Sequence, residues 1–315
     1  MSNVEREYGD VALVIATFRQ DEPVLRLLED AFDADNKHPF AKIAIVDSLG
    51  SGAIERAIEE RGWERVTYHN ADHNLGSAGN LAMRLELAAQ DPEVNWAYAL
   101  NHDGELQWDA LLALVSRGRA QLARGTRVGA LYPLRYTTHL QKYNLTGRTT
   151  LPIPYVGTKT KPTGDSFRVY WASSNGALYA TEPVREGLGP WPDLWMGWED
   201  LGYGWQLDAH GWHQEVVCDA IFEDGYEYTA KGSGAAKVQI TDKPTWYAYY
   251  QLRNLMLVAK RNERGPLTWS VIAGRVALEF GLSLTLRPDR ARRIPFLLNG
   301  IADGLSEQSG KWLYP

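Results

Sequence analysis

The stretch that decides the fold is Trp96-Ala97-Tyr98-Ala99-Leu100-Asn101-His102-Asp103-Gly104. An apolar run of strand length breaks off at a carboxylate followed by glycine. A strand buried on both faces belongs to a parallel sheet covered by helices. A carboxylate where such a strand stops therefore sits at the C-terminal edge of the sheet, where open α/β sheets bind their ligands. In isolation such an Asp is usually a turn or capping residue. The neighbouring segments turn the reading toward a ligand site.

Upstream, Val11–Ala16, Lys42–Val46 and Arg65–Tyr68 read as further strands. Helical spacing between them covers Glu22–Ala31 and Ala53–Glu60, and the loop Asn74–Asn80 opens a helix that runs through Ala89. This β-α-β-α-β-α-β order predicts an α/β fold with a doubly wound, mainly parallel sheet. Downstream, Trp108–Gln121 reads as a helix and Arg127–Leu131 as a strand. Residues 136–170 lack sustained periodicity. Short strands are expected at Arg168–Ala172 and Ala177–Ala180, flanking Ser173-Ser174-Asn175-Gly176. A helix over Leu201–His210 ends at Gly211, the residue type favoured just past a helix C-terminus. Helices over Thr245–Arg261 and Pro266–Leu286 form a helical C-terminal region. The expected division is an α/β domain over 1–243, with halves 1–104 and 105–243, and a helical extension over 244–315.

The chain has 315 residues, enough for one large domain or two small ones with a sizeable core. Its net charge of -6 makes nucleic acid an unexpected partner. The single cysteine, Cys218, excludes an internal disulfide and cysteine-held zinc; in Val216-Val217-Cys218 it reads as a small buried hydrophobe. The charged N-terminus lacks the apolar core of a secretory signal. No run of about eighteen apolar residues is evident, so no membrane-spanning helix is expected. These features predict a cytoplasmic protein, with peripheral contact at the inner face of the plasma membrane as an extension of that reading. Twelve Trp and sixteen Tyr are numerous, and several lie in Gly/Pro-rich loops where a flat ring can face a sugar or a base.

Several loops carry candidate chemistry. Thr17-Phe18-Arg19 and Asp47 follow strands and could grip a nucleobase; ordinary βα-loop capping is the alternative. Asn74-x-Gly76-x-x-Gly79-Asn80 permits close backbone approach and leads into a helix N-terminus, which attracts phosphate. Its spacing differs from the dinucleotide fingerprint, and no Walker A sequence is present. Asp103 offers a hard oxygen ligand, and Mn2+ or Mg2+ typically takes one or two carboxylates plus substrate phosphates; Asn101 and His102 could assist by hydrogen bonding. Glu199-Asp200 at a helix start compensates the helix dipole, supplies a general base, or does both.

Taken in order, these motifs resemble those of family 2 glycosyltransferases of the GT-A fold, from about Val11 to the C-terminus. The marks are Val14-Ile-Ala-Thr17-Phe18, Ile45-Val46-Asp47-Ser48, Asn74–Asn80, Asn101-His-Asp103, Ser174-Asn-Gly176, Trp198-Glu-Asp-Leu201 with His210-Gly-Trp212, and Tyr250-Gln-Leu-Arg253-Asn254. Within the family the likeness is greatest to bacterial rhamnosyl- and galactofuranosyl-type transferases. The resemblance implies an inverting enzyme that moves a sugar from a nucleoside-diphosphate sugar, of UDP or dTDP type, to a hydroxyl of a glycan, a lipid-linked or a small-molecule acceptor. Residues 1–104 would bind the nucleotide-sugar and 105–243 the acceptor. Thr17 and Asp47 would contact base and ribose, with Phe18, Arg19, Asn74, Gly76, Gly79, Asn80, Asn101 and His102 completing the donor site. Asp103 would hold a divalent metal, Mn2+ or Mg2+, and the diphosphate. Asp200 would be the base, Glu199 would position hydroxyls, and Trp171, Trp195 and Trp198 would face the acceptor. The sequence departs from the family twice. The metal element is Asn-His-Asp instead of two acidic residues. Where relatives carry a metal-binding His, the chain reads Ile221-Phe222-Glu223-Asp224, which makes Glu223 the best-matched ligand and Asp224 its rival. His210 and His213 are expected on the surface.

Two other classes compete. A catalytically silent nucleotide- or sugar-binding module would share the fold without turnover of a nucleotide-sugar. A nucleotidyltransferase would need a basic, Gly-rich signature near the first strand, which Thr17-Phe18-Arg19-Gln20 does not resemble. The basic segment Arg287-Pro-Asp-Arg290-Ala-Arg292-Arg293 reads as a solvated helix end, a homo-oligomer contact through the C-terminal helices, or a contact with anionic lipid.

Overall fold

The computed structural model describes residues 7–32, 37–153, 156–224, 229–231, 238–240, 243–287 and 289–312. The first half of the chain runs β1 (Val11–Thr17), α1 (Asp21–Ala31), β2 (Lys42–Ser48), α2 (Ala53–Arg61), β3 (Val66–Ala71), α3 (Gly76–Ala89) and β4 (Trp96–Asn101). It continues through α4 (Trp108–Ala123), β5 (Val128–Thr137), β6 (Lys142–Asn144), β7 (Gly157–Thr158), β8 (Ser166–Arg168), β9 (Ala177–Ala180), α5 (Glu182–Arg185), α6 (Glu199–Ala209) and β10 (His213–Asp224). A short pair, β11 (Thr229–Lys231) and β12 (Val238–Ile240), precedes α7 (Tyr247–Arg261), α8 (Pro266–Thr285) and α9 (Arg290–Leu305).

Alternation of large and small side chains along the central strands places the layers. Side chains of a strand point to opposite faces with period two. Leu13, Ile15, Trp96, Tyr98 and Leu100 lie on one face, under α1 and α4. Ala12, Val14, Ala97 and Ala99 lie on the other, where their small size lets Leu81 and Leu85 of α3 come close. All of these strand residues are buried, and each large one contributes roughly 1.5–3 kcal/mol by leaving water.

The sheet order is β3-β2-β1-β4-β9-β5-β10-β8. The strands β3, β2, β1 and β4 are parallel to their neighbours. The chain winds outward from β1 to β3, then returns to place β4 on the other side of β1. The winding reverses between β1 and β4, which opens a crevice at their C-terminal ends. Beyond β4, the antiparallel β9 separates it from β5, and β10 pairs parallel with β5. Pro133 in β5 lacks an N–H for the ladder. Opposite it, β10 bulges between Val217 and Ile221, and Cys218 N–H donates instead to Asp165 O at 2.8 Å. The strand then resumes and sets Phe222 beneath Gly176 (φ +83°), where a Cβ would lie 2.6 Å from the ring.

Three expectations change. The strand expected over Arg168–Ala172 is instead Ser166–Arg168, because Tyr170 N–H leaves the sheet and donates to Gly147 O at 2.8 Å. A helix, α9, begins within the basic segment at Arg290 and runs through its apolar continuation, with Pro295 inside it. Its glycines allow close packing on α7: a Cβ at Gly300 would lie 2.5 Å from Tyr249 O. Finally, α8 is by length and composition apolar enough to cross a membrane, although no unbroken run of apolar residues marks it.

Candidate active site

A cavity of about 730 Å³ opens where the sheet reverses its winding. Its first wall is made by strand ends. Thr17, Phe18 and Arg19 line it from the end of β1, and Asn101, His102 and Asp103 from the end of β4. The backbone fixes their level: His102 N–H donates to Ala16 O at 2.8 Å, and Asn101 N–H to the Asn175 side-chain oxygen at 3.0 Å. The loop before β9 is thus tied to β4, and Arg135 holds it through Asn175 O at 2.8 Å. Asp103 is exposed.

Beneath the cavity lies an arginine that the sequence reading did not single out. Arg84 of α3 is buried, and its guanidinium donates to Leu100 O at 2.8 Å and to Val14 O at 3.3 Å. It straps the ends of β1 and β4 together. Burial lowers its pKa to about 10, while Asp200 and Glu199 favour its charge. Asn80, one turn earlier, donates to Val46 O at 2.9 Å. The signal was present: Ser77, Asn80 and Arg84 recur at helical spacing on the face of α3 that should be apolar.

The second wall comes from the segment before α6. Trp195 adopts φ +58° and ψ -57°, and Met196 N–H donates to Leu194 O at 2.7 Å, closing a tight γ-turn. Trp198 is also left-handed, at φ +66°. Non-glycine residues in this region cost on the order of 1–3 kcal/mol each, so other groups must hold the loop. Asn254 of α7 does so: its side-chain nitrogen lies 2.9 Å from Leu194 O, 2.8 Å from Met196 O and 2.9 Å from Gly197 O. The adjacent Arg253 donates to Leu194 O at 2.7 Å and to the Asn254 side-chain oxygen at 2.8 Å.

Gly76 (φ +68°) has a role other than the one expected. A Cβ there would lie 2.0 Å from Trp195 O, so the glycine admits the second wall and not a phosphate. The N-terminus of α3 is partly occupied as well: Ala78 N–H donates to Trp195 O at 3.1 Å and Gly76 N–H to the Asn74 side chain at 2.9 Å. Asn74, Gly76 and Asn80 do line the cavity; Gly79 does not. Asp47 is fully buried behind the lining residues Ser48 and Leu49, and accepts a 2.8 Å bond from the Tyr68 hydroxyl. Burial pushes its carboxyl above the usual range. Gly50 gives it room, since a Cβ would lie 2.2 Å from its carboxylate oxygen.

The acidic pair starts α6. Glu199 lines the cavity, and one of its carboxylate oxygens is buried without a partner among the described residues. Asp200 is not itself a lining residue; it stands behind Ser174, which lines the cavity and whose N–H donates to its carboxylate at 3.2 Å. Burial, and then the charge of Glu199, push Asp200 up to about 7; burial also raises Glu199.

Of the three tryptophans, Trp195 lines the cavity and donates from its indole to Asn74 O at 3.0 Å. Trp198 does not line it: its indole donates to Gln251 O at 2.9 Å and its ring packs 6.1 Å from that of Trp171, which is itself buried. Those two rings fix α6 to α7 and are unavailable as platforms in this cavity. Trp246 and Lys311 line it instead, both unforeseen. Lys311 is brought back by the chain end: Gly310 N–H donates to Asp193 O at 2.6 Å, and Trp312 N–H to the Tyr250 hydroxyl at 2.9 Å. Its ammonium sits 5.5 Å from the centre of the Trp195 ring.

The metal expectation is narrowed. Among the described residues no three His, Cys, Asp or Glu side chains are grouped to hold an ion. Glu223 is exposed near the end of β10, outside the cavity lining, with its N–H near the Gln107 side chain at 3.4 Å. The side chain of its rival, Asp224, lies outside the described residues. Of the expected ligands, Asp103 is the one that the described residues place in the cavity lining, with Asn101 and His102 beside it. That set fits an ion whose other ligands are substrate phosphates and water.

No protein-family model and no curated protein matches the chain. Solved structures do. Residues 1–349 of S. aureus TarS superpose with a TM-score of 0.56 at 11% identity, over 95% of this chain and 82% of that one. The same TarS segment in complex with UDP-GlcNAc gives 0.57 at 12% identity, over 94% and 81%. The mannosyltransferase PcManGT from Pyrobaculum calidifontis, in complex with GDP-Man and Mn2+, gives 0.52 at 13% identity, over 95% and 88%. The mixed, mostly parallel sheet with flanking helices is the GT-A fold of these structures.

Proposed function

We propose that this protein is an inverting glycosyltransferase that moves a sugar from a nucleoside-diphosphate sugar, of UDP or dTDP type, to a hydroxyl of a glycan, a lipid-linked or a small-molecule acceptor. The observation that carries the reading is that one cavity joins the strand-end residues Thr17 and Asp103 to Glu199 of the acidic pair. The volume suits a nucleotide-sugar. The fold supports it, since the matched structures hold UDP-GlcNAc in one case and GDP-Man with Mn2+ in another.

In this reading Thr17, Phe18, Arg19, Ser48 and Leu49 receive the nucleoside, with buried Asp47 supporting them through its loop. Asp103, with Asn101 and His102, would hold a divalent ion at the diphosphate end of the cavity. When bound, that ion offsets negative charge on the leaving diphosphate. Lys311 adds a cation to those of Arg19 and Arg84 in the same cavity lining. Asp200 takes the proton of the acceptor hydroxyl as it attacks the anomeric carbon from the face opposite the leaving group. A carboxyl raised to about 7 is matched to that task near neutral pH. Glu199, facing the cavity, orients the sugar hydroxyls. The same reading takes the enzyme to be cytoplasmic.

The test is release of nucleoside diphosphate from a panel of UDP-, dTDP- and GDP-sugars with glycan acceptors. Stimulation of release by an acceptor, lost in Asp200→Asn, supports the assignment. Tight nucleotide-sugar binding without turnover in any combination would instead make the protein a silent module of the same fold.

A further inference from the structure

The helix α8 carries an outward face that the fold leaves uncovered. Only 22% of its most apolar eighteen-residue window is buried. The inward side is marked by buried Thr268, Ile272, Glu279 and Ser283. The outward side shows Leu267, Leu278 and Leu284, which are 67%, 50% and 56% exposed. Ala273, Gly274, Ala277 and Gly281 are exposed with them, and added Cβ atoms at Gly274 and Gly281 would meet nothing within 4 Å. The charged residues of the helix, Arg275 and Glu279, pair with each other at 2.8 Å, with Glu279 buried. Apart from Ser270 and Thr285, whose hydroxyls donate to the helix's own carbonyls, the outward face is apolar along a helix of about 30 Å.

Just past its C-terminal end, the first turn of α9 carries Arg290, Arg292 and Arg293 and no acidic residue. That is the end of a helix where cations are unfavourable. Arg293 is buried and paired with Asp289 at 3.2 Å. Arg290 and Arg292 are exposed and have no ion pair among the described residues. Their placement does nothing for the helix and suits an external anionic surface.

We propose that α8 lies in the plane of a membrane, with Leu267, Leu278 and Leu284 in the acyl boundary and Arg290 and Arg292 against anionic headgroups. An apolar helix face with adjacent arginines is the arrangement that holds a protein at such an interface. The helix does not cross the bilayer: its other face packs on α7 and α9, and a paired arginine and glutamate occupy its middle. A second copy of the chain would also cover leucines; the two exposed arginines beside them favour an anionic surface.

This inference is independent of what the cavity binds. The test is flotation of the full chain with vesicles of phosphatidylglycerol and phosphatidylcholine, beside vesicles of phosphatidylcholine alone. Binding is expected to the anionic vesicles, and to weaken as salt is raised. Leu278→Glu with Leu284→Glu should lower the partition at least tenfold, and each of Arg290→Glu and Arg292→Glu roughly fivefold or more. All four positions are exposed, and an unchanged thermal midpoint in each variant verifies the fold. Absence of binding to anionic vesicles by the unaltered protein overturns the proposal. So does sedimentation of the protein as a dimer that the leucine variants convert to monomer, because the face then belongs to a second copy.

Discussion

The two walls of the cavity are built by different means. The wall of Thr17–Arg19 and Asn101–Asp103 hangs on parallel strands, and its level is set by ladder bonds and by backbone contacts such as His102 N–H to Ala16 O. The wall of Trp195–Glu199 has no ladder. It contains two left-handed tryptophans and is held by side chains of a helix far along the chain, Arg253 and Asn254. The backbone shape of the first wall is the sheet's own and should survive most changes of side chain. The second depends on a few hydrogen bonds, a glycine and strained backbone, so single substitutions should disturb it.

The largest effect sharpens the chemistry of the second wall. Asp200→Asn should lower turnover about a hundredfold or more with donor affinity kept, read by steady-state kinetics beside donor titration. Near-normal turnover would move the base to Glu199. The pH response has opposite signs for activity and stability. The folded carboxyl at about 7 stands above its unfolded value, so the folded state binds more protons in the window between them. Its stabilising contribution is present below the unfolded value and is lost as pH rises through about 7, while the base becomes competent over that rise. Turnover should therefore climb across neutrality, and the difference in thermal midpoint between Asp200→Asn and the unaltered protein should change over the same window.

Gly76→Ala tests the contact between the walls. Its φ of +68° and the 2.0 Å approach to Trp195 O predict a loss of about 2–3 kcal/mol of stability by denaturant titration. A neutral result would mean that the loop moves freely away from α3. Asn254→Ala removes the donor shared by three loop carbonyls and should cost about 1–3 kcal/mol. It should also lower turnover, whereas Thr17→Ser at the first wall should change both quantities little. Equal sensitivity of the two walls would break the comparison. The smallest effect is expected for Lys311→Ala: roughly three- to tenfold weaker nucleoside-diphosphate binding, with kcat nearly unchanged.

The same contrast explains what the sequence disclosed. The strands from Val11 to Asn101 announce themselves by apolar runs that stop on polar residues, so the first wall, with Thr17 and Asp103, was readable residue by residue. Glu199-Asp200 was readable because an acidic pair opens a periodic helix. Trp246 and Lys311 were not, because they reach the cavity only through the packing of α7 and α9, and no local pattern records a contact across 116 residues such as Lys311 on Trp195. Trp171 and Trp198 misled for a related reason. Glycine near them serves packing: within α6, a Cβ at Gly204 would lie 2.6 Å from that of Trp171. Arg253-Asn254 stood out as a motif, and its work as a clamp on carbonyls became visible only with the loop in place.

The central claim is that the cavity receives a nucleoside diphosphate at Asp103. Calorimetric titration of UDP, dTDP and GDP in the presence of Mn2+ tests it most directly. The account predicts saturable binding of one nucleotide per chain, weakened at least tenfold in Asp103→Ala while the thermal midpoint without ligand stays put. Equal affinity in the variant, or no binding of any of the three by the unaltered protein, would contradict it.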